Sequence, residues 1–212
     1  MDEHFKKSIE EVYEAPLQAP WTNKNPPEIL VSLIEDKMIK KGEVLDVGCG
    51  EGFYSIYLAK KGFSVTGIDI SEKAIKLAKK NAKKAKVKVK FKSLNLLDLK
   101  NLGGKFDFIL EWAVLHHVEP KKRKKYVREV FNKLKKHGRY LSVSFNEQLK
   151  GFGEPSQKIR IVPENSRGLQ GTKLYTSSLN EMQDLFRPYF NMLDSKVIKY
   201  PDFLNYLFME KK

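Results

Sequence analysis

The sequence predicts an α/β fold, in which helices cover both faces of a mostly parallel, seven-stranded sheet that closes with an antiparallel hairpin. Two observations predict it. Over residues 43–146, short apolar runs of strand length are separated by stretches with helical periodicity, and this order requires crossover connections between parallel strands. Near the end of the chain, two strand-like runs are separated only by Pro201-Asp202, which favours a turn and therefore a hairpin.

The individual elements follow from these patterns along the chain. Strands are predicted at 43–48, 64–69, 87–92, 105–111, 138–146, 192–199 and 203–209, and helices at 52–61, 72–85, 121–136 and from about 178 to 186. Ser71 can cap the second of these helices and Ser177 or Ser178 the last, which Pro188 ends because proline cannot continue a helix. Residues 147–176 are predicted to form an irregular segment.

The most informative motif is the run V-L-D-V-G-C-G-E-G at residues 44–52, where an apolar strand meets a glycine turn and then a helix. Such a turn lets the backbone approach a nucleotide closely. Asp46 lies two places before the first glycine, so its carboxylate would repel the phosphate that a helix N-terminus otherwise attracts. S-adenosylmethionine carries a sulfonium and an ammonium group instead, and it therefore suits this turn better than a dinucleotide or ATP.

A second acid stands where this ligand requires one. The strand-like run at residues 63–70 contains Asp69 at its end, and a carboxylate there can accept hydrogen bonds from both ribose hydroxyls. A lone aspartate after a strand is more often a helix cap or a turn residue. Because Asp46 lies one strand–helix unit upstream, at the same edge of a parallel sheet, the pair favours the ligand-binding role.

With these residues the chain resembles the class I S-adenosylmethionine-dependent methyltransferases, most clearly over residues 43–146. The resemblance implies a Rossmann-like sheet, S-adenosyl-L-methionine as methyl donor and S-adenosyl-L-homocysteine as product. It also implies cofactor contacts from Asp46, Gly48, Cys49, Gly50, Asp69, Ile70, Asn95, Leu96, Glu111 and Trp112.

Two positions around this core carry further expectations. Asn95 stands where the family usually has an aspartate that accepts the adenine amino group, and its amide keeps one acceptor oxygen; the neighbouring Asp98 fits the following loop better. Upstream, residues 19–30 resemble the N-terminal segment of small-molecule members of the thiopurine and tellurite-resistance type. Trp21 in that segment is an additional candidate for cofactor contact, with ordinary packing as the alternative.

Methyl transfer requires mainly that the nucleophile be held in line with the methyl group and that water be excluded. An acceptor that must lose a proton also needs a base, and His116 and His117 are the candidates; the family position favours His116. The alternative is that the pair caps the next helix or packs under the sheet. Trp112 could offer its ring face to the cationic donor, or it could belong to the core.

The formal net charge of +14 is compatible with a nucleic-acid substrate. The basic groups cluster on the helix at 72–85 and in K-K-R-K-K at residues 121–125, which are crossover helices away from the ligand-binding edge. Stacking aromatics are also scarce beside them. We therefore expect a small-molecule acceptor; an RNA or protein methyltransferase, or a non-catalytic cofactor-binding subunit, stays as the alternative. The sequence does not determine the oligomeric state.

The 212 residues predict a single domain. Its expected parts are an N-terminal helical cap (1–40), the cofactor-binding core (43–146), a substrate lid (147–177), and a C-terminal helix with a hairpin (178–212). The absence of an apolar signal segment and of a run long enough to span a bilayer predicts a cytoplasmic protein without membrane contact. Nothing in the sequence suggests a metal.

Three basic residues of the predicted lid are ambiguous. Arg160, Arg167 and Lys173 could bind an anionic acceptor, or each could be an exposed loop charge.

Overall fold

The protein is described by a computed structural model over residues 1, 3–14, 19–154, 157–164, 166 and 168–212. Its strands are β1 (Glu43–Val47), β2 (Ser64–Asp69), β3 (Lys90–Ser93), β4 (Phe106–Trp112), β5 (Leu134–Phe145), β6 (Ile159–Ile161), β7 (Lys173–Tyr175), β8 (Phe190–Lys199) and β9 (Phe203–Lys211). Its α-helices are α1 (Glu3–Glu14), α2 (Glu28–Glu35), α3 (Phe53–Lys60), α4 (Glu72–Lys84), α5 (Pro120–Lys133) and α6 (Leu179–Phe186). Two short 3₁₀ turns, Leu96–Asn101 and Leu115–His117, follow β3 and β4.

The main sheet has seven strands in the order β3-β2-β1-β4-β5-β9-β8. Strands β1 to β5 pair in parallel, and β9 pairs antiparallel with both β5 and β8. The predicted α/β class and the closing hairpin are confirmed. Because the strand order reverses between β1 and β4, a crevice opens beyond the carboxyl ends of these two strands, where open α/β sheets bind their ligands.

Apolar layers cover both faces of the sheet. Along β1 the side chains alternate: Val44 packs with α2 and α3, whereas Leu45 and Val47 pack with α5 and α6 on the opposite face. All three side chains are fully buried. This arrangement explains why the central strands read as almost continuous apolar runs. Among the described residues, no helix has both the length and the apolar character needed to cross a bilayer.

The largest shift of a predicted boundary lies between α5 and β5. The helix predicted at 121–136 ends at Lys133, and β5 begins at Leu134 instead of 138. Leu134 pairs with Phe106 of β4 and is fully buried, so tertiary pairing overrides the helical pattern of the preceding lysines. The segment predicted to be irregular contains the small antiparallel pair of β6 and β7.

Arg160 on β6 organises this segment from inside. Its side chain is 1% exposed, and it donates hydrogen bonds to the carbonyl oxygens of Glu147, Leu149, Gly151 and Gln157. Four of the five guanidinium donors are thus used by the backbone. The expectation that Arg160 is an exposed loop charge is therefore wrong. Lys173 is exposed, and Arg167 lies outside the described residues.

Candidate cofactor and acceptor site

The glycine turn after β1 forms the floor of the crevice. Gly48, Gly50 and Gly52 have φ angles of 72°, 51° and 79°, which L-residues with side chains rarely adopt. At Gly48 there is also no room for a side chain, since an added Cβ would lie 2.3 Å from Cγ2 of Val114. The turn therefore keeps its backbone bare and close to the end of β4, as the sequence motif predicts.

Asp69, at the end of β2, is 6% exposed and lies against this turn. One carboxylate oxygen accepts a hydrogen bond from the Gly50 N–H at 2.9 Å, and the other accepts one from the Ser71 N–H at 2.9 Å. Burial raises the pKa of Asp69 to about 6 in spite of these bonds. Each oxygen retains acceptor capacity, so the carboxylate can still receive a vicinal diol such as that of ribose.

Asp46 supplies a second buried carboxylate in the same crevice. It is 3% exposed and accepts a hydrogen bond of 2.6 Å from Ser55 Oγ on α3. Burial, and after it the nearby charge of Asp69, raises the pKa of Asp46 to about 6. Within the described ranges, neither carboxylate forms a salt bridge. Two buried acids without a cationic partner fit a cationic ligand such as S-adenosylmethionine, and they would oppose a phosphate.

These pKa values predict a pH dependence of ligand binding. We expect the affinity for S-adenosylhomocysteine to fall as the pH is lowered through about 6, because protonated Asp46 and Asp69 lose their negative charge and acceptor strength. Calorimetric titrations between about pH 8 and about pH 5 measure this.

Stability should respond to these two groups in the opposite direction. Their pKa values are higher in the folded protein than in the unfolded chain, so the folded form binds protons more tightly between about pH 4 and about pH 6. The ligand-free protein therefore gains stability from them as the pH falls across this range.

For ligand binding, an affinity for S-adenosylhomocysteine that stays constant down to about pH 5 would contradict the assignment of both acids to the ligand site.

Helix α1 covers the glycine turn through Tyr13. The Tyr13 hydroxyl lies 2.8 Å from the position that a Cβ on Gly50 would occupy, and burial raises the pKa of this phenol. The hydroxyl accepts a hydrogen bond of 3.0 Å from Trp21 Nε1. Trp21 itself is 42% exposed. Trp21 is thus linked to the glycine turn through the Tyr13 hydroxyl. Direct contact of Trp21 with a cofactor stays a prediction.

Glu10 fastens α1 to the start of α4. Its carboxylate accepts hydrogen bonds from Ser71 Oγ at 2.9 Å, from the Glu72 N–H at 2.7 Å and from the Lys73 N–H at 3.2 Å. A carboxylate at a helix N-terminus satisfies free N–H groups and interacts favourably with the helix dipole. Sequence reasoning missed this residue, because the groups it caps lie about sixty positions further along the chain.

The predicted adenine side lies at the ends of β2 and β3. Ile70 packs against the apolar cluster that Phe5 of α1 forms with Val162, Leu169 and Leu174. The Asn95 side-chain oxygen accepts a hydrogen bond from the Leu97 N–H, and its amide nitrogen donates to the Met1 carbonyl oxygen. Asn95 therefore starts the 3₁₀ turn at Leu96, and its contact with adenine stays a prediction.

Cys49 lies within the glycine turn with its thiol directed at the backbone. Its Sγ donates to the carbonyl oxygen of Gly50 at 3.8 Å. Burial, together with the charges of Asp46 and Asp69, raises the pKa of this thiol. A thiol kept protonated in this way is a poor nucleophile, and contact of Cys49 with the cofactor stays a prediction.

Glu111 on β4 is fully buried and organises the loop that follows the strand. Its carboxylate accepts hydrogen bonds from the Val114 and Leu115 N–H groups at 2.9 and 2.8 Å, from Ser142 Oγ at 2.7 Å and from the Tyr140 hydroxyl at 3.4 Å. Four protein donors occupy its two oxygens. This arrangement favours a positioning role for Glu111 over the direct cofactor contact that the resemblance implies.

Trp112 is the last residue of β4, next to Glu111, and its ring forms an aromatic wall with the rings of Tyr54 and Tyr200. Its ring meets Tyr54 edge to face at 6.1 Å and Tyr200 at 5.7 Å. The Tyr200 hydroxyl accepts a hydrogen bond of 2.6 Å from the side chain of Asn23. Tyr200 comes from the turn between β8 and β9, and nothing in the local sequence marks it as a site residue.

His116 is held in place by Phe145 at the end of β5. The two rings stack with centroids 3.9 Å apart, and His116 Nδ1 accepts a hydrogen bond of 3.3 Å from the Phe145 N–H. Burial lowers the pKa of His116 well below its usual value, so its imidazole is neutral. The ring of His117 lies 4.3 Å from that of His116 and 4.8 Å from Phe5 of α1. The structure thus brings both histidines to the same end of the sheet as Asp46 and Asp69.

Comparison with known proteins is consistent with this geometry. Residues 44–138 match the methyltransferase domain family. The ubiquinone biosynthesis O-methyltransferase of Pelagibacter ubique is 38% identical over 117 residues, which are 55% of this chain and 48% of that protein. The 2-heptyl-1-hydroxyquinolin-4(1H)-one methyltransferase of Mycobacteroides abscessus is 29% identical over 154 residues, 69% of this chain and 67% of that protein.

The chain spans about half to two thirds of the length of these relatives. Among solved structures, the Burkholderia thailandensis 1,6-didemethyltoxoflavin-N1-methyltransferase superposes with a TM-score of 0.77 at 19% identity and covers 99% of this chain and 88% of its own. At this level of identity the match shows the shared fold alone.

Proposed function

Because the chain belongs to the class I S-adenosylmethionine-dependent methyltransferases, we propose that it transfers a methyl group from S-adenosylmethionine to a small-molecule acceptor. The observation that carries this proposal is the pair of buried carboxylates, Asp46 and Asp69, at a bare glycine turn without a cationic partner among the described residues. Such a crevice attracts a cation and offers acceptors to a ribose.

The cofactor, when bound, supplies an activated methyl group on a sulfonium leaving group. In the proposal, the Asp69 carboxylate accepts hydrogen bonds from the ribose hydroxyls. The backbone of the glycine turn, at Gly48 and Gly50, lies along the ligand. Ile70 and the Asn95–Leu96 corner border the base. Helix α1, fastened through Glu10, excludes water from this side of the crevice. Positioning and desolvation of this kind can supply most of the rate of a methyl transfer.

We propose a planar aromatic acceptor that carries a hydroxyl group. Aromatic rings gather near the carboxyl ends of β4 and β5: the aromatic wall of Tyr54, Trp112 and Tyr200, and the stacked pair of His116 and Phe145. Aromatic surfaces of this type favour flat ligands. The names of the ubiquinone and hydroxyquinolone relatives point to ring-bearing acceptors as well.

A nucleic-acid acceptor is the second candidate, and the net charge of +14 is what favours it. The lysines of α4 are exposed on its outer face, at positions 76, 79, 80, 83 and 84. Arg123, in the basic run of α5, is instead 5% exposed and bonded to Val118, Tyr175 and Ser177. A solvated lysine surface by itself supports this candidate less than the aromatic rings near the ends of β4 and β5 support a small molecule.

A radiolabelled methyl-transfer screen tests the proposal. The purified protein is incubated with methyl-labelled S-adenosylmethionine and, separately, catechol, 4-hydroxybenzoate, a metabolite extract, total tRNA and a protein lysate. We expect label in the phenols or the extract, and none with Asp69→Ala. Label in tRNA alone would overturn the choice of a small molecule. Binding of S-adenosylhomocysteine without transfer to any acceptor would favour a non-catalytic cofactor-binding subunit.

A further inference from the structure

Three buried side-chain polar atoms in the described part of the chain have no hydrogen-bond partner: the Tyr57 hydroxyl, a guanidinium nitrogen of Arg139 and Nδ1 of His117. The Arg139 nitrogen still lies 2.7 Å from the carboxylate of Glu210, so it has an ionic partner. Tyr57 is on α3, which packs on a face of the sheet. His117 is at the ligand-binding edge, at the end of the 3₁₀ turn after β4. Because leaving a buried acceptor unpaired costs free energy, this atom requires an explanation.

The surroundings of His117 are apolar. Its ring contacts Phe5 of α1, and Phe5 belongs to a cluster with Val162, Leu169 and Leu174 of the lid region. Phe145, at the end of β5, packs against the same cluster. The imidazole thus lies where α1, the lid region and the end of β4 meet; its Nδ1 is buried and unpaired, while the residue as a whole is half-buried. Burial lowers the pKa of His117 to about 3, which keeps the ring neutral, so Nδ1 is a hydrogen-bond acceptor when the ring proton is on Nε2.

His116 differs from His117 in whether its Nδ1 is still available to bind the hydroxyl of a methyl acceptor. Its Nδ1 already receives the Phe145 N–H, and its ring is stacked on Phe145. The family position favours His116 as the base, but the structure leaves the free nitrogen on His117.

We propose that His117 is the catalytic residue that binds the acceptor hydroxyl, an inference that rests on the proposed function. The hydroxyl donates its hydrogen bond to His117 Nδ1, which orients an oxygen lone pair toward the methyl group. As the new oxygen–carbon bond forms, the carbon–sulfur bond breaks and its electron pair stays on sulfur. The hydroxyl proton passes to Nδ1 and then to solvent. A weakly basic imidazole suffices, because the hydroxyl becomes strongly acidic as the oxygen is alkylated.

Histidine-selective ¹⁵N NMR of the protein saturated with S-adenosylhomocysteine provides a readout that does not depend on turnover. We expect the Nδ1 resonance of His117 to shift when catechol or 4-hydroxybenzoate is added, and that of His116 to shift less. A His117 signal that neither phenol changes would overturn the proposal.

Two substitutions separate acceptor binding from proton transfer. His117→Phe keeps a flat ring without the nitrogen; we expect the Kd of catechol to rise about threefold to tenfold, the effect of one neutral hydrogen bond, and kcat to fall about 10²–10⁴-fold. His117→Asn keeps an acceptor oxygen and should lose kcat with little change in Kd. His137→Asn is the matched control, because His137 is exposed and its φ of 59° is one that asparagine tolerates.

The outcomes distinguish this inference from the proposed function. The affinity for S-adenosylhomocysteine, measured by calorimetry, should be unchanged in all three variants and so reports that they are folded. Methylation of a phenol by His117→Phe at the wild-type rate would overturn the role of His117 and leave the proposed function intact. A wild-type protein that methylates neither a phenol nor the metabolite extract would contradict the proposed function itself.

Discussion

Replacement of Asp69 by alanine is expected to lower the affinity for S-adenosylhomocysteine about 10²–10³-fold, the effect of losing two charge-assisted hydrogen bonds to ribose. The carboxylate is buried, and its orientation is set by the Gly50 and Ser71 N–H groups. The ligand therefore gains two acceptors that are already desolvated and oriented. Isothermal titration calorimetry of the purified variant measures the loss, and S-adenosylmethionine should be affected in parallel.

Two controls accompany this experiment. Asp69→Asn keeps the size of the side chain but loses the charge, and we expect an intermediate affinity. Asp184→Asn removes an exposed carboxylate that pairs with Arg187 on α6, and it should bind like the wild type. Thermal unfolding of each variant checks that the fold is intact. If a folded Asp69→Ala variant binds the ligand as tightly as the wild type, Asp69 does not hold the ribose.

Replacement of Glu111 by leucine is expected to lower the free energy of unfolding by about 3 kcal/mol, since it leaves buried donors unpaired at a cost of about 1–3 kcal/mol each. The affected groups are the Val114 and Leu115 N–H groups and the Ser142 hydroxyl. Removal of a desolvated carboxylate offsets part of this loss, because burial raises the pKa of Glu111 and thus disfavours its charged form. Urea denaturation monitored by circular dichroism measures the difference.

Glu111→Gln is the matched variant. Its amide oxygen can still accept from the backbone N–H groups, and its amide nitrogen can donate to Ser142, so we expect a loss of only about 1 kcal/mol. The two histidines follow the loop that Glu111 holds, and methyl transfer should therefore fall much further in Glu111→Leu than in Glu111→Gln. Equal stability of the leucine and glutamine variants would show that these hydrogen bonds do not stabilise the loop.

The fold and the identity of the crevice could be predicted because their signals are local. Strand and helix periods, the glycine turn at residues 44–52, and an acid near the end of each of two neighbouring strands are all contained in short stretches of sequence. Parallel strands bring their carboxyl ends to one edge, so the proximity of Asp46 and Asp69 followed without a structure. The start of β5 was misplaced because its first residue is decided by pairing with β4, which outweighs the helical character of the lysines before it.

The roles of individual site residues depended on partners distant in sequence. Glu10 caps a helix that begins more than sixty residues later, and Arg160 is buried because four carbonyl oxygens of its own segment surround it. Two adjacent histidines are indistinguishable in a sequence. In the structure, the Phe145 N–H donates a hydrogen bond to Nδ1 of His116, whereas Nδ1 of His117 has no hydrogen-bond partner. Local sequence patterns thus specified the class of fold and the charge of the ligand that its crevice favours. Tertiary structure decided which polar atoms remain unpaired, because hydrogen-bond satisfaction depends on every group that packs around a side chain.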